Sequence, residues 1–404
     1  NEGMAITSID TDNGSWEYSI DNGNNWLSIG SVSSTSAQLL ESSWRVRFVP
    51  DNHYNGSAEF TFRAWDQSDS SNNTSPNGGT TAFSSDVATA SIDIVNINDA
   101  PVIDSDLTLD MNQINEDTPD NGKLVSELLS NIGYEDIDQN ADLNQYIGVD
   151  DDEGMAIIAV DNSNGIWQFL SASGGGWTDI ETVSLASAQL LEPLDRVRFN
   201  PSGDYNGHDI SFTFKAWDQS DVGNNTIPDG GTTAFSENTV DVQIDVVNIN
   251  DAPEISFTTI NMNEINEDDF NDSGSFVSNF LNDSSLNYQD MDQDEGLNEY
   301  AGVDNNKGMA ITAITGNGSW EYSTDDGSNW TSMGNVSQES AFLLEPTWKV
   351  RFVPNENYNG VVDFTFRGWD QSNDSVDATI NGGITAFSAN NAIAEIHVLN
   401  DNDA

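Results

Sequence analysis

The chain has 404 residues, with 68 Asp and Glu against 11 Lys and Arg, and its formal net charge is −57. Such a charge repels nucleic-acid phosphates and anionic membrane surfaces, which excludes both as partners. A hydrophobic content of 36%, with 11 Trp and 18 Phe, is enough for packed cores, so we expect folded domains whose self-repulsion is screened by salt or bound cations.

Internal repetition predicts the domain organisation. The motif Trp-Asp-Gln-Ser begins at Trp65, Trp217 and Trp369, at an interval of 152 residues in both cases (217 − 65 and 369 − 217). Such a period is far longer than a solenoid unit, so each repeat is predicted to be a whole domain. The boundaries fall at 1–100, 101–252 and 253–404, and the first repeat lacks about its first third.

The predicted elements within a repeat are strands, and the third repeat shows their order. Trp348–Val353, Val362–Trp369 and Ala392–Leu399 alternate apolar and polar residues, which is typical of half-buried strands. Asp-Gly, Asn-Gly and Gly-Gly pairs between strands indicate hairpins. Only Lys123–Ser130 has spacing that allows a two-turn helix. We therefore predict an all-β fold of tandem antiparallel β-sandwiches, cadherin- or immunoglobulin-like, with less than about 10% helix.

The first repeat is predicted to carry an unpaired edge. It lacks the segment that supplies the first strand in the other repeats, so we expect the edge near Ile6 or along the last strand, Ala90–Ile97. Unpaired edges favour fraying or association.

The basic residues also recur. They are interpreted as cross-strand partners of carboxylates, and a ligand-binding basic stripe is the alternative. Nine of the 11 lie at three repeated places: Arg45, Arg47, Arg63, Arg196, Arg198, Lys215, Lys349, Arg351 and Arg367.

A polar linker separates the repeats. Val95–Pro101 reads Val-Asn-Ile-Asn-Asp-Ala-Pro, Val247–Pro253 repeats it, and Leu399–Ala404 is a variant. Each copy follows an alternating strand, and its proline cannot continue a sheet interior. The linker is rich in carboxylate and amide oxygens, which are the ligands of hard cations, so we expect calcium.

Three acidic features recur besides the linker. They are the pair Glu116-Asp117, matched by Glu267-Asp268; the Asp-x-Asp motifs Asp136/Asp138 and Asp290/Asp292, followed by Asn144 and Asn298; and the strand-ending Asp66, Asp218 and Asp370. Calcium takes six to eight oxygens, and no complete EF-hand loop is present, so the ligands would converge from separate loops. The alternative is that these acids are turn residues and solubilising charge.

The order of these features resembles cadherin repeats: a strand-A glutamate, an Asp-x-Asp, an Asp ending a late strand, and a linker related to Asp-x-Asn-Asp-x-x-Pro. The whole repeat is similar to the cadherin-like repeats of giant bacterial surface proteins and RTX-type adhesins, in which Gly-Ser-Trp-Glu-Tyr-Ser, Arg-Val-Arg-Phe-Val-Pro, Tyr-Asn-Gly and Asn-Asp-Ala-Pro follow one another in this order. The resemblance covers essentially the whole chain and implies an elongated rod with calcium between successive sandwiches.

The resemblance also implies a ligand set. The second junction is assigned Glu116, Asn250, Asp251, Asp290, Asp292, Asn298 and Asp370. The first is assigned Asn98, Asp99, Asp136, Asp138, Asn144 and Asp218. Asp66, Glu267, Asn402 and Asp403 complete the set. The first junction lacks its strand-A glutamate and is expected to be weaker. Asn96, Asn248, Ala100 and Ala252 depart from the family linker, so we expect one to three ions per junction.

Enzyme signals are poor. Ser19 to Trp26 and Ser323 to Trp330 fit the Asp-box pattern of sialidase-type propellers, but they return once per repeat rather than once per blade and are interpreted as hairpins. No nucleophile elbow, paired-His metal motif or phosphate loop is present. Glycan binding through exposed tryptophans is an alternative, although Trp16, Trp26, Trp44 and Trp65 lie in strand patterns and are predicted to be core residues.

The predicted function is therefore non-catalytic. We expect calcium-stabilised extender or adhesion repeats of a large bacterial cell-surface or secreted adhesin, whose partners are the neighbouring repeats of the same chain. The absence of cysteine and of any apolar run of 18 residues agrees with an extracellular β-protein that uses metal instead of disulfides. The alternatives are repeats that themselves bind a polysaccharide or another copy of the protein, and, as a third class, part of a secreted glycosidase.

Overall fold

A computed structural model describes residues 2–104, 107–118, 120–140, 143, 153–293 and 307–401. Strands account for 42% of the chain and helices for 4%, which confirms the predicted all-β class of tandem sandwiches. Each sequence repeat builds its own pair of sheets, and strand pairing stays within a repeat throughout the described ranges.

The first repeat contributes seven described strands. They are Gly3–Ile9 (β1), Gly14–Ser19 (β2), Leu27–Ser28 (β3), Gln38–Glu41 (β4), Arg45–Pro50 (β5), Gly56–Trp65 (β6) and Ala88–Ile94 (β7). One sheet has the order β4-β1-β6-β7 and the other β3-β2-β5. All of their pairings are antiparallel.

The second repeat adds a first strand and a helix to this plan. Its elements are Thr108–Asp110 (β8), Ile114–Asn115 (β9), Lys123–Leu124 (β10), helix Val125–Leu129 (α1), the 3₁₀ turn Ile137–Gln139, Gly154–Val160 (β11), Gly165–Leu170 (β12), Thr178–Asp179 (β13), Gln189–Leu191 (β14), Arg196–Pro201 (β15), Gly207–Trp217 (β16) and Val240–Val247 (β17). The large sheet has the order β14-β11-β16-β17-β8, with β9 also on β17, and the second sheet is β10-β15-β12-β13.

The third repeat has the same topology. Its elements are Thr259–Asn261 (β18), Ile265–Asn266 (β19), Ser275–Phe276 (β20), helix Val277–Leu281 (α2), the 3₁₀ turn Met291–Gln293, Gly308–Ile314 (β21), Gly318–Ser323 (β22), Thr331–Ser332 (β23), Phe342–Leu344 (β24), Lys349–Pro354 (β25), Gly360–Trp369 (β26) and Ala392–Leu399 (β27). Helix α1 lies within the segment predicted to be helical, whereas α2, at the same place in the third repeat, was not predicted. No helix of the described residues is long and apolar enough to span a membrane.

Period-two alternation produces the cores between the sheets. In β15, Val197 and Phe199 are fully buried, whereas the alternate arginines lie at the outer face. The ring of Trp167 on β12 packs against Phe199 and meets Phe212 edge-on at 4.7 Å between centroids. Edge-to-face pairs of this kind add about 0.5–1.5 kcal/mol beyond area burial. Trp16 and Trp320 occupy the same place in the other repeats and are 3% exposed.

One ladder of each complete repeat is parallel. In the second repeat, β8 and β9 run parallel to β17, so that Ile114 lies opposite Val246 and Asn115 opposite Val247. The first strand and the last strand therefore both lead toward the outgoing linker. This pairing, which alternation alone does not reveal, carries Glu116 to the start of the second junction.

The recurring basic residues play two structural roles. Arg47 pairs with Glu17 across adjacent strands at 2.6 Å, and Arg351 pairs with Glu321 at 2.7 Å, as predicted. The third recurring position also donates to loop carbonyls. Lys215, only 2% exposed, bonds the backbone oxygens of Ser236 and Glu237 at 2.8 Å each and pairs with Asp229 at 3.0 Å.

The Asp-box segments are compact hairpin turns. Ser19 Oγ accepts from the Gly23 amide at 2.8 Å, and Asp21 Oδ1 accepts from the Asn25 amide at 2.8 Å. The hydrogen bond from the Asn25 side chain is the main reason that the pKa of Asp21 is lowered to about 2. Because these carboxylates accept hydrogen bonds within the turn, their role is to stabilise the hairpin.

The first repeat has its edge at β7. Ile6 is fully buried and pairs on both sides, so the expectation of an edge there was wrong. By contrast, β7 pairs only with β6 among the described strands, because nothing corresponds to β8 and β9. Ile92 on β7 is 43% exposed, whereas Ile244 at the same place on β17 is 2% exposed.

We expect the amides of residues 88–94 to exchange with solvent faster than those of residues 240–246, because a strand paired on one side opens more readily. Hydrogen–deuterium exchange measured by mass spectrometry compares the two directly. Strands β6 and β16, which are paired on both sides, are the matched control. Equal protection of β7 and β17 would contradict this account of the edge.

Candidate cation site at the repeat junctions

Glu116 is a buried acidic residue of the second repeat that lies against the outgoing linker. It is 3% exposed and follows β9 directly. Its Oε1 accepts from the amide of Ile249 at 2.6 Å, and its Oε2 accepts from Asn206 at 3.4 Å. Burial is the largest cause of the raised pKa of Glu116. The parallel ladder thus places a desolvated carboxyl group against the linker backbone.

The linker itself is held by acidic residues of the third repeat. Asn250 donates from Nδ2 to Asp370 Oδ2 at 3.1 Å and to the carbonyl of Thr385 at 3.2 Å. The Asp251 amide donates to Asp292 Oδ2 at 2.8 Å. These contacts aim the linker at the end of the next sandwich and leave both carboxylates beside it.

The Asp-x-Asp motifs lie at the two 3₁₀ turns. In the turn of the second repeat, the Asp138 amide donates to Asp136 Oδ1 at 2.9 Å. In the third repeat, Asp290 precedes the turn and its Oδ2 accepts from Gln293 at 2.9 Å. The second Asp of each motif is buried: Asp138 is 7% exposed and Asp292 is 6% exposed.

Two groups of carboxylates converge on Asp251. Oxygens of Glu116, Asp251 and Asp292 lie within 4.8 Å of one another, and so do oxygens of Asp117, Asp204 and Asp251. Each group contains residues of the second repeat, and Asp292 belongs to the third. Carboxylates at such separations repel one another by a few kcal/mol per pair, on the order of 332/(εr) with an effective dielectric near 20.

Several buried acceptor atoms at the junctions have no hydrogen-bond donor among the described residues. They are Asp251 Oδ2 and Asp290 Oδ1 at the second junction, and Asn98 Oδ1 and Asp138 Oδ1 at the first. Buried acceptors are normally paired, because leaving one unpaired costs about 1–3 kcal/mol. Oxygen atoms that face one another without donors are the arrangement that a bound cation satisfies.

The electrostatics agree with this geometry. The pKa of Asp251 is raised to about 7, first by burial and then by Asp117, Asp204, Asp292 and Glu116. The pKa of Asp290 is also raised to about 7, again by burial first. Without a cation, the junction therefore resists full ionisation at neutral pH.

On the side of the repeat that follows the linker, the first junction has the same contacts as the second. Asn98 donates from Nδ2 to Asp218 Oδ2 at 3.0 Å, and the Asp99 amide donates to Asp138 Oδ2 at 2.7 Å. Its preceding side differs, because His53 Nδ1 lies 2.7 Å from Asp99 Oδ2. The Asn55 amide also donates to the carbonyl of Leu143 at 3.2 Å, which joins the two repeats directly.

The remaining predicted ligands fall into three groups. Glu267 is 1% exposed and accepts from the Asp401 amide at 2.8 Å, so it forms the same cradle as Glu116. Asp66 is exposed, and its Oδ1 accepts from the Ser68 amide at 2.8 Å; it joins none of the acidic groups found among the described residues. Asn144, Asn298, Asn402 and Asp403 lie outside the described residues.

Sequence reasoning missed His53 and Asp204 and left Asp117 out of the ligand set. His53 and Asp204 each precede the recurring Tyr-Asn-Gly motif, which the sequence alone did not connect with the junction. Asp117 follows Glu116 in the acid pair. The signal for Asp117 was its place next to Glu116, and the signal for His53 and Asp204 was that both precede a motif that recurs in every repeat.

Comparisons with known proteins give structures but no family. No protein-family model and no curated protein matches the chain. Human CDH23 repeats EC21–23 align at 12% identity and a TM-score of 0.38, covering 99% of this chain and 90% of that one. Human mucin-like protocadherin EC1–2 aligns at 12% identity and a TM-score of 0.32, and the alignment covers 74% of this chain and 98% of that one.

An endo-fucoidan hydrolase of glycoside hydrolase family 107 aligns at 11% identity and a TM-score of 0.24. The alignment covers 99% of this chain and 39% of the hydrolase, so this chain spans less than half of that enzyme. Similarities at this level carry no argument about activity, and the account of the junctions rests on the contacts described above.

The raised pKa of Asp251 predicts a pH dependence for the metal-free protein. Between the ordinary value of 3.8 and about 7, the folded chain retains a proton that the unfolded chain has released. The stability contributed by this proton is present below about pH 4 and is lost as the pH rises through 7. In EDTA, the melting temperature of Asp251→Asn should therefore fall less between pH 5 and pH 8 than that of the wild type.

The difference between the two proteins is the readout, because every other titrating group is common to both. Asp283→Asn, which changes an acid outside the junctions, is the matched control and should follow the wild type over this range. Parallel curves for the wild type and Asp251→Asn would show that Asp251 ionises normally.

Proposed function

We propose that this chain consists of calcium-bridged tandem repeats that act as a non-catalytic extender or adhesion stalk of a large bacterial cell-surface or secreted adhesin. Residues 101–252 and 253–404 are then two domains of this kind, and residues 1–100 belong to a third. The observation that carries the proposal is the meeting of desolvated carboxylates from two repeats around Asp251, with acceptor atoms that have no donor among the described residues.

The donor set favours calcium among the cations. At the second junction, the residues that would hold it are Glu116, Asp117, Asp204, Asp251, Asp290, Asp292 and Asp370. All of these donors are carboxylate oxygens, whereas zinc sites in proteins are built mainly from cysteine and histidine. Calcium accepts six to eight oxygens in flexible geometry, which suits ligands gathered from separate loops.

The first junction would hold calcium mainly through residues on its following side. The candidates are Asn98, Asp99, Asp136, Asp138 and Asp218. Asp138 Oδ1 is buried without a donor among the described residues, in a side chain that is 7% exposed. The outgoing cradle around Glu267 would contribute to a further junction in the same way.

Calcium at these positions would make the joint rigid. Without a cation, the carboxylates around Asp251 repel one another, and that repulsion is relieved when the two sandwiches move apart or bend. A cation bound by residues of both sandwiches instead fixes the angle between them. Extracellular calcium modules bind with a Kd of roughly 10⁻⁴ to 10⁻³ M, so the calcium of sea water or host fluids would fill such sites.

The tryptophans support an extender more than a glycan platform. Trp26, Trp177 and Trp330 recur on the same hairpin, and each carries an arginine guanidinium over its ring at 4.1, 4.0 and 4.2 Å. A ring face covered by a protein cation is not available for stacking on a sugar. Of the tryptophans predicted to be core residues, Trp16 is buried, as are its counterparts Trp167 and Trp320. The others are only half-buried: Trp26, Trp44 and Trp65.

Removal of calcium should lower the melting temperature and shorten the maximum dimension seen by small-angle X-ray scattering. At a tenfold excess over Kd, each site adds about 1.4 kcal/mol to the free energy of unfolding. Scattering profiles and melting curves in calcium and in EDTA measure both effects. Identical scattering profiles in the two conditions would contradict the proposal.

Changing Asp290 and Asp292 together to Ala should reproduce the effect of EDTA at the second junction while each sandwich stays folded. The reason is that both side chains lie at the junction and outside the hydrophobic cores. The pair Glu339→Ala and Asp374→Ala removes the same charge from exposed positions of the same repeat and is the matched control. If the control behaves like the junction variant, net charge rather than calcium explains the change.

A further inference from the structure

Apart from the acid pair Glu116-Asp117, which has no counterpart at the first junction, the two described junctions also differ at one loop position. The residue before the recurring Tyr-Asn motif is His53 in the first repeat, Asp204 in the second and Asn357 in the third. All three have left-handed backbone conformations, with φ of 60°, 58° and 62°. The loop therefore has the same shape in each repeat, and only the side chain that it presents to the outgoing linker changes.

This loop residue meets the linker aspartate in both junctions. His53 Nδ1 lies 2.7 Å from Asp99 Oδ2 at the first junction. At the second, a carboxylate oxygen of Asp204 lies within 4.8 Å of Asp251 and of Asp117. The corresponding linker residues thus face a hydrogen-bonding imidazole in one case and a repelling carboxylate in the other.

The contact of His53 does not depend on its charge. A carboxylate oxygen can only accept, so Nδ1 is the nitrogen that carries the proton in this contact, and it can donate in the neutral as well as in the protonated ring. Asp204 has no proton to donate when ionised. It therefore repels Asp251 across a separation of less than 4.8 Å unless a cation lies between them.

We propose that this loop residue sets how strongly each junction depends on cations: His53 holds the linker aspartate of the first junction directly, whereas Asp204 makes the second junction require a cation. The inference rests on the proposed function and adds that the two joints of one chain respond differently to calcium. The first joint then stays ordered at calcium concentrations at which the second loosens.

The absence of cysteine makes a joint-specific measurement possible. Thr35, Ala186 and Glu339 are exposed at the same turn of the three repeats. Spin labels on Cys at the first two report on the first junction, and labels on the last two report on the second. Double electron–electron resonance then gives the distribution of distances across each joint, in calcium and in EDTA.

In the wild type, EDTA should broaden the distribution across the second junction more than that across the first. Asp204→His should narrow the second distribution in EDTA, because an imidazole can contact Asp251. His53→Asp should broaden the distance distribution across the first junction in EDTA, and calcium should reverse this change. A cavity of about 780 Å³ lined in part by His53, Asp99 and Asp136 leaves room for the cation there.

Asn variants provide the matched controls, since the third repeat has Asn357 at this position. Asp204→Asn removes the repulsion without supplying an imidazole. If Asp204→Asn narrows the distance distribution across the second junction as much as Asp204→His does, direct contact with an imidazole is not what orders the junction, and the proposal fails. The proposal also fails if His53→Asp leaves the first distribution in EDTA unchanged.

The design separates this inference from the proposed function. If the wild-type distribution across the second junction is the same in calcium and in EDTA, the proposed function itself is wrong. If that distribution responds to calcium but the two junctions respond equally, only the assignment to His53 and Asp204 is wrong. Circular dichroism of each variant verifies that the sandwiches remain folded.

Discussion

The repulsion among desolvated carboxylates around Asp251 is the interaction on which this structure depends. Glu116 reaches the linker because the first strand of the repeat runs parallel to the last, and Asp292 reaches it from a 3₁₀ turn of the next repeat. Neither sandwich brings the whole acidic group together alone. In the proposed function, the charge that would drive the repeats apart is therefore also what would allow one cation to join them.

The parallel ladder connects the fold of each sandwich to the junction that follows it. Val247 and Asn115 are paired residues, and two positions further along the chain the amide of Ile249 donates to Glu116. The same strand pairing thus orders the linker backbone and positions the carboxylate of Glu116. Loss of pairing at the end of β17 would disturb the candidate cation site as well as the sheet.

The sequence was sufficient for the parts that alternation and repetition encode. It predicted the all-β class, the helix near α1 and the acidic residues that line the junction, such as Glu116 and Asp292. It did not show that β8 runs parallel to β17, because period-two alternation is the same in both directions. It also did not identify His53 or Asp204, because their role depends on a left-handed loop that places two different side chains against the linker.

X-ray diffraction from crystals of this chain grown with calcium tests the central claim most directly, because the anomalous signal of calcium, or of strontium exchanged for it, marks the position of the ion. The account predicts an anomalous peak at the second junction, coordinated by oxygens of Glu116, Asp251 and Asp292, so that both repeats contribute ligands. Ordered calcium elsewhere with only water between these carboxylates would contradict it.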